Sequence, residues 1–272
     1  MLSLAFVLGA CVGSFLNVCI YRLPEDESVV RPASRCPRCG TPIAWRDNLP
    51  VLSWLLLGAR CRTCAAPISA RYPLVEAATG GLAVLALLRF GPSAAAAVAF
   101  LFTAALLLIT FVDFDHRFIP DEVSLPGIAV GLGAAFLPGG VSPLDALAGA
   151  VLGGGVLWAV AWTYEHATGI EGMGLGDVKL LAMIGAFLGW QAIPVVLVVA
   201  SFTGSLVGLA LIFTRRGRRR MRRAARRLGP RAVLPFVRRA ARRTEIPFGP
   251  FLALGAVLAL YHPAVTLSWR LG

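Results

Sequence analysis

The chain has 272 residues, of which 57% are hydrophobic and only 15% charged, where a soluble domain carries about 25% charge. With a mean hydropathy of +0.75, this composition excludes an ordinary cytosolic enzyme, a disordered chain and a small disulfide scaffold, and leaves a polytopic membrane protein. The net charge of +12 then becomes a question of which side of the membrane holds it.

A helical span takes roughly 20 apolar residues. Eight stretches meet or approach that length: 2–20, 73–89, 94–112, 123–138, 144–164, 178–193, 195–213 and 247–268. The expected fold is therefore an all-α polytopic bundle of about eight transmembrane helices. The fourth and sixth stretches are short. The first has no basic flank and runs into Asn17 and Arg22 rather than a small-residue cleavage site, so it reads as a retained span. Phe90-Gly91-Pro92-Ser93 and Leu137-Pro138-Gly139-Gly140 carry turn chemistry between neighbouring spans.

Basic residues orient the bundle. The loop after the first span holds Arg22, Arg31, Arg35, Arg38, Arg46, Arg60, Arg62 and Arg71. If that loop is cytoplasmic, so are 113–122, 165–177 and 214–246, and the far side keeps only Arg89 and Arg270. Both termini then face outward.

In the first loop, Cys36-Pro37-Arg38-Cys39 and Cys61-Arg62-Thr63-Cys64 form two CxxC pairs with 21 residues between them. Two tight turns with two soft ligands each suit one tetrahedral zinc, and Gly40 suits the first turn. A disulfide is disfavoured in the cytoplasm. A redox pair and unliganded thiols are the competing readings. Cys11 and Cys19 lie inside the first span and read as small apolar packers.

Ionisable groups at the edge of apolar spans are costly and mark functional candidates. Asp113 ends the third span, and Asp177 opens the sixth within Gly172-Met173-Gly174-Leu175-Gly176-Asp177-Val178-Lys179. Both fall at the cytoplasmic boundary. Two carboxylates sharing a low-dielectric site cannot both ionise easily; one keeps a proton while the other activates water. Gly174 and Gly176 would allow close backbone approach and unusual dihedrals. Plainer readings compete. Asp177 can cap a helix, an Asp beside Arg117 can form a boundary ion pair, and a transporter's ion site uses the same ingredients. Asp115 is a rival to Asp113, but two residues along a helix it points to another side. Asp121 follows Ile119-Pro120 and is expected to cap the next helix.

The stretch 215–243 contains 14 arginines and no acid. It reads as a topology anchor on anionic headgroups, worth about 1 kcal/mol per basic residue near the surface. The aromatic interleaving that stacks bases is absent, so no nucleic-acid partner is expected.

In order along the chain, these residues resemble the prepilin peptidase family, membrane aspartic peptidases of type IV pilus and type II secretion systems. Gly13-Ser14-Phe15-Leu16-Asn17-Val18-Cys19-Ile20-Tyr21-Arg22-Leu23-Pro24 is similar to its N-terminal signature. The CxxC pairs follow, then Arg71-Tyr72-Pro73-Leu74-Val75-Glu76. Asp113 stands seven residues before Pro120, as the family's first catalytic aspartate stands before its own proline, and Gly174-Leu175-Gly176-Asp177 resembles the motif carrying the second. Lys179 lies two residues beyond that motif, at the inner boundary. Ile246-Pro247-Phe248-Gly249-Pro250-Phe251 resembles the last-helix signature.

The resemblance implies catalysis by Asp113 and Asp177, supported by Gly174, Gly176, Lys179 and Pro120, and sits beside the structural zinc that the spacing of Cys36, Cys39, Cys61 and Cys64 suggests. It implies a division at residue 72, with 1–72 associated with methyl transfer and 73–272 forming the peptidase core around the Arg-rich loop 214–246. The implied function is cleavage of the basic leader of prepilins or pseudopilins at the cytoplasmic face of the bacterial inner membrane. S-adenosylmethionine would then methylate the new N-terminal residue. Spacing does not locate the donor's pocket, since no glycine-rich strand–helix motif is present. The alternatives are a peptidase without methyl transfer and a carboxylate-gated transporter. The Arg run is a departure: it would not attract a basic leader, so it is assigned to lipid or to a secretion-system partner.

Overall fold

The computed structural model describes residues 1–169, 174–213 and 247–261. Its regular structure is helical: α1 (Leu2–Arg22), α2 (Leu52–Leu56), α3 (Arg71–Phe90), α4 (Ala94–His116), α5 (Asp121–Ala134), α6 (Pro143–Thr168), α7 (Leu175–Leu188), α8 (Ala192–Phe213) and α9 (Gly249–Tyr261). The first loop adds two short 3-10 turns and two isolated antiparallel bridges, Arg35 to Pro42 and Arg60 to Pro67.

Helix ends follow local chemistry. Ser93 and Ser142 accept backbone N–H bonds from Ala96 and Asp145 and so cap α4 and α6. Arg117, at φ 58°, closes α4 in the left-handed region. Each of the eight expected stretches contains a helix, but two boundaries are corrected. In place of 123–138, α5 starts directly after Pro120 and stops at Ala134, before the turn through Leu137 and Gly139. In place of 178–193, α7 starts at Leu175 and ends at Gly189, whose φ of 78° breaks it; Ala192 and Ile193 belong to α8. Apolar residues continue through that break, so hydropathy alone does not mark it.

Among the described residues, five helical segments are long and apolar enough to cross a membrane: Leu2–Glu25, Arg71–Phe90, Ala94–His116, Pro143–Thr168 and Ala192–Ala210. With 14 residues each, α5 and α7 reach about 21 Å, against about 30 Å of hydrocarbon. For α9 the described part has 13 residues. Residues 262–268 of the last expected span, Arg270, Gly172, Ile246 and the Arg run lie outside the described residues.

The core is centred on α7. Leu180, Leu181, Met183, Ile184 and Leu188 are fully buried against α5, α6, α8 and α9, and the Phe187 ring stacks on Phe102 of α4 at 4.5 Å between centroids. Backbones come close where side chains are small. A Cβ at Gly149 of α6 would meet the Gly185 carbonyl of α7, and one at Gly185 would meet the Gly149 carbonyl. This is the small-residue contact by which helices associate in lipid. Outward faces stay apolar, as with Leu144, Leu147, Val151 and Trp158 on α6 and Val198, Phe202 and Leu206 on α8. That surface fits hydrocarbon and not water, and the chain is a multi-pass membrane protein.

The first loop is tied to the membrane helices by buried polar groups. Asn17 of α1 donates to the Tyr72 carbonyl of α3 at 3.1 Å. Glu76 of α3, 9% exposed, accepts the N–H of Val51 at 2.7 Å. Val51 opens α2 with φ 62° and ψ −49°, a costly conformation for a β-branched residue.

Candidate functional site

One end of the bundle gathers the polar groups. The last turn of α4 meets the starts of α3, α7 and α9 there. Arg71, the first residue of α3, ion-pairs with Asp115, and its guanidinium lies 4.8 Å from the centre of the Phe111 ring. Asp115 is exposed and engaged there, while Asp113 is 5% exposed and points into the bundle. The separation expected from helix geometry between these two aspartates holds.

Asp113 Oδ2 accepts the backbone N–H of Gly249 at 2.9 Å. Gly249 is the first residue of α9, so the carboxylate faces the positive end of a helix dipole. A Cβ on Gly249 would lie 2.6 Å from that same oxygen. Glycine is therefore what lets the backbone donor reach the carboxylate. Sequence reasoning placed Gly249 in a signature but missed this role; a helix start fixes donor direction only once its neighbour is known.

Asp177 is half-buried in the first turn of α7. It does not cap the helix: Gly174 holds the N-cap position without a side-chain cap bond. Asp113 is the charged group whose field acts on Asp177, so α4 and α7 bring these two carboxylates into one electrostatic environment. Gly174 has φ −72° and ψ 147°, an ordinary extended conformation, and Gly176 lies within α7. The expectation of unusual dihedrals there is therefore corrected. Gly176 instead serves close packing: a Cβ there would sit 3.1 Å from Cβ of Ile119.

Lys179 donates to both carboxylate oxygens of Asp121 at 2.7 Å. This pair joins the start of α7 to the start of α5. Asp121 is thus no helix cap; buried Pro120 holds that position, and its carbonyl accepts from Val123 and Ser124. After α4 the chain passes beside Gly176 at Ile119.

The four loop cysteines converge. The sulfurs of Cys36, Cys39, Cys61 and Cys64 all lie within 4.8 Å of one another, and Cys36 Sγ is 3.8 Å from Cys64 Sγ. A tetrahedron with metal–sulfur bonds of ~2.3 Å has sulfur edges of about 3.8 Å, so the set is compatible with zinc. The two turns repeat one pattern. Gly40 N–H donates to Cys36 O and Cys36 N–H to Thr41 O; Ala65 N–H donates to Cys61 O and Cys61 N–H to Ala66 O. Gly40 has φ 71° and Ala65 φ 54°. Hydrogen bonding with Thr41 holds the Cys39 thiol down to about 6, which favours the thiolate a metal needs, whereas burial and the neighbouring thiols push Cys64 up to about 11. Backbone N–H groups of Cys64 and Thr63 lower Cys61 as well. Of the two span cysteines, Cys19 is buried as expected of a packer, whereas Cys11 is exposed.

Residues 7–90 match a bacterial peptidase A24 N-terminal domain, and residues 100–209 match the type IV leader peptidase family. The chain is 39% identical over 293 residues to a prepilin leader peptidase/N-methyltransferase of Aeromonas hydrophila, with 99% of this chain and 93% of that protein covered. A protein of the same description from Burkholderia pseudomallei is 40% identical over 289 residues, covering 96% of this chain and 85% of its own length. One from Myxococcus xanthus is 47% identical over 210 residues, covering 76% of this chain and 62% of its own length. No solved structure matches the chain.

Proposed function

The chain belongs to the type IV leader peptidase family, and we propose on that premise that it cleaves the leader of prepilins or pseudopilins and N-methylates the new terminus. The observation that carries the cleavage reading is the buried Asp113 at the end of α4, its carboxylate held by the Gly249 N–H at the start of α9. In the resting site the two carboxylates share one proton. The ionised partner takes a proton from water as the water oxygen attacks the scissile carbonyl. The protonated partner donates to the carbonyl oxygen, and the amine leaves with a proton.

The site lies at the inner membrane boundary under the positive-inside arrangement. The eight helices α1 and α3–α9 cross or enter the bilayer, with short α7 packed among α5, α6, α8 and α9. The substrate's first mature residues lie in the bilayer as an apolar helix, and its basic leader stays in the cytoplasm. The scissile bond then reaches Asp113 and Asp177 without a water channel to mid-membrane. A small residue before the cut helps, because carbonyls inside a helix are already hydrogen-bonded. Residues 1–72 serve methyl transfer and 73–272 cleavage. The Arg run rests on anionic lipid headgroups.

The test is incubation of the purified protein with a prepilin and S-adenosylmethionine. Mass spectrometry should find a shortened pilin carrying one added methyl group. Solute uptake without cleavage would favour the transporter reading, and cleavage without methylation the peptidase-only one.

Zinc is proposed as the ion held by Cys36, Cys39, Cys61 and Cys64, where it folds the loop by linking two turns that have little core of their own. Elemental analysis should give one zinc per chain. Chelation, or Cys61→Ser, should make the loop protease-sensitive and lower methylation more than cleavage. Metal-free protein with a protease-resistant loop would contradict this.

A further inference from the structure

Arg22 ends α1 and is 8% exposed. A buried guanidinium normally pairs with an acid. Among the described residues no carboxylate pairs with Arg22; its Nη1 donates to Ser28 O at 2.9 Å and its Nη2 to Pro32 O at 2.8 Å. Two of its five N–H donors are used, and those two bonds fix the plane of the group. The remaining donors are preset for an anion.

Arg22 also lines a cavity of about 300 Å³ between α1 and the first loop, within the range of small-molecule sites. Phe15, Val18 and Val30 give it apolar walls, and Ser14 and Ser34 line it as polar groups. Phe15, Val18 and Arg22 follow one another at intervals of three and four residues, so they share one face of α1. The cavity lies in the part of the chain, residues 7–90, matched by the N-terminal domain. Asp113 and Asp177 stand on other helices and play no part in it.

We propose that this cavity binds the methyl donor, S-adenosylmethionine, with the Arg22 guanidinium receiving its carboxylate and Phe15, Val18 and Val30 walling its apolar body. The proposal rests on the methyltransferase part of the functional reading and gives that activity a place. The residues present fit the donor: a buried cation without an acid suits the carboxylate, and the mixed wall suits a nucleoside. Methyl transfer forms a bond from the pilin's amine nitrogen to the methyl carbon as the carbon–sulfur bond breaks. The electron pair stays on sulfur as a neutral thioether, and the amine proton goes to solvent. The cavity runs along α1 from Cys11 to Arg22, and Arg22 ends α1 on the side assigned to the cytoplasm, where the donor is found.

The test uses the full-length protein in nanodiscs. S-adenosylhomocysteine binding is measured by calorimetry, and radiolabelled S-adenosylmethionine is photolinked and mapped to peptides. Label is expected on peptides spanning 11–22 or 29–34. Arg22→Met should weaken binding at least about tenfold, as loss of a charge-assisted pair does. That variant also loses the bonds to Ser28 and Pro32, so Val18→Trp is the second probe: it fills the cavity, touches neither carbonyl and should weaken binding as much. Circular dichroism reports whether each variant keeps its helices. Label elsewhere, or wild-type affinity in a helical Val18→Trp protein, overturns the proposal. So does a copurifying phospholipid that Val18→Trp removes without changing donor affinity. A wild-type protein that neither binds donor nor methylates prepilin defeats the methyltransferase reading itself, whereas methylation with label elsewhere defeats only this location.

Discussion

Asp113→Asn and Asp177→Asn should each reduce prepilin cleavage by at least about 10⁴-fold, because removing one member of a catalytic unit disables the whole. Asparagine keeps the shape of the side chain but holds no exchangeable acid proton and accepts none from water. The fold should survive. Asp113 sits at the end of α4, where it is 5% exposed and, among the described residues, accepts one backbone N–H. Removing its charge relieves burial and leaves the Gly249 donor facing an amide oxygen. Asp115→Asn is the matched comparison. Its carboxylate is exposed and paired with Arg71, and such a pair is worth about 0–1 kcal/mol, so activity should stay within about fivefold. Initial rates on a synthetic leader–pilin peptide, with helicity checked on each variant, give the comparison. Near-normal cleavage by either asparagine variant would remove that residue from the catalytic role.

Gly249→Ala should reduce cleavage by about 10²-fold or more, the cost of removing one well-aimed backbone donor from a reacting oxygen. The new Cβ would lie 2.6 Å from Asp113 Oδ2, so α9 or the carboxylate must shift. Either movement separates the carboxylate from the start of the helix and loses the favourable end of the dipole. Gly155→Ala on α6 is the control, since a Cβ there meets no atom within 4 Å. If Gly249→Ala cleaves like the wild type, the Gly249 bond is structural and the aspartate is positioned by other contacts.

Both aspartates and the four cysteines were legible because each sits against a contrasting background. A carboxylate at the end of an apolar run, or two CxxC turns in an arginine-rich loop, stand out without knowledge of the fold. The eight helical stretches were legible for the same reason. The ends of α5 and α7 were not. Gly189 stops α7 while apolar residues continue on both sides, and a hydropathy pattern carries no record of a positive φ. The partners were also hidden. Lys179 looked like a boundary cation, yet it bridges to Asp121, 58 positions away, and Gly249 reaches Asp113 across 136. Spacing along a chain reports which residues share a face of one helix; it does not report which helix that face meets. Arg22 belongs to the same class. In sequence it is one of eight loop arginines and part of the N-terminal signature, and only the structure shows that it is buried.

The central claim is that Asp113 and Asp177 hydrolyse the leader by activating water, with no covalent bond to either carboxylate. Single-turnover cleavage in ¹⁸O-enriched water, with enzyme in excess over prepilin, tests it directly. Mass spectrometry reads the released leader's new carboxylate and the enzyme peptides containing Asp113 and Asp177. The account predicts ¹⁸O in the leader carboxylate and none in either aspartate. An unlabelled leader, with ¹⁸O incorporated into one aspartate, would mean that this carboxylate attacks the substrate itself and would contradict the shared-proton mechanism.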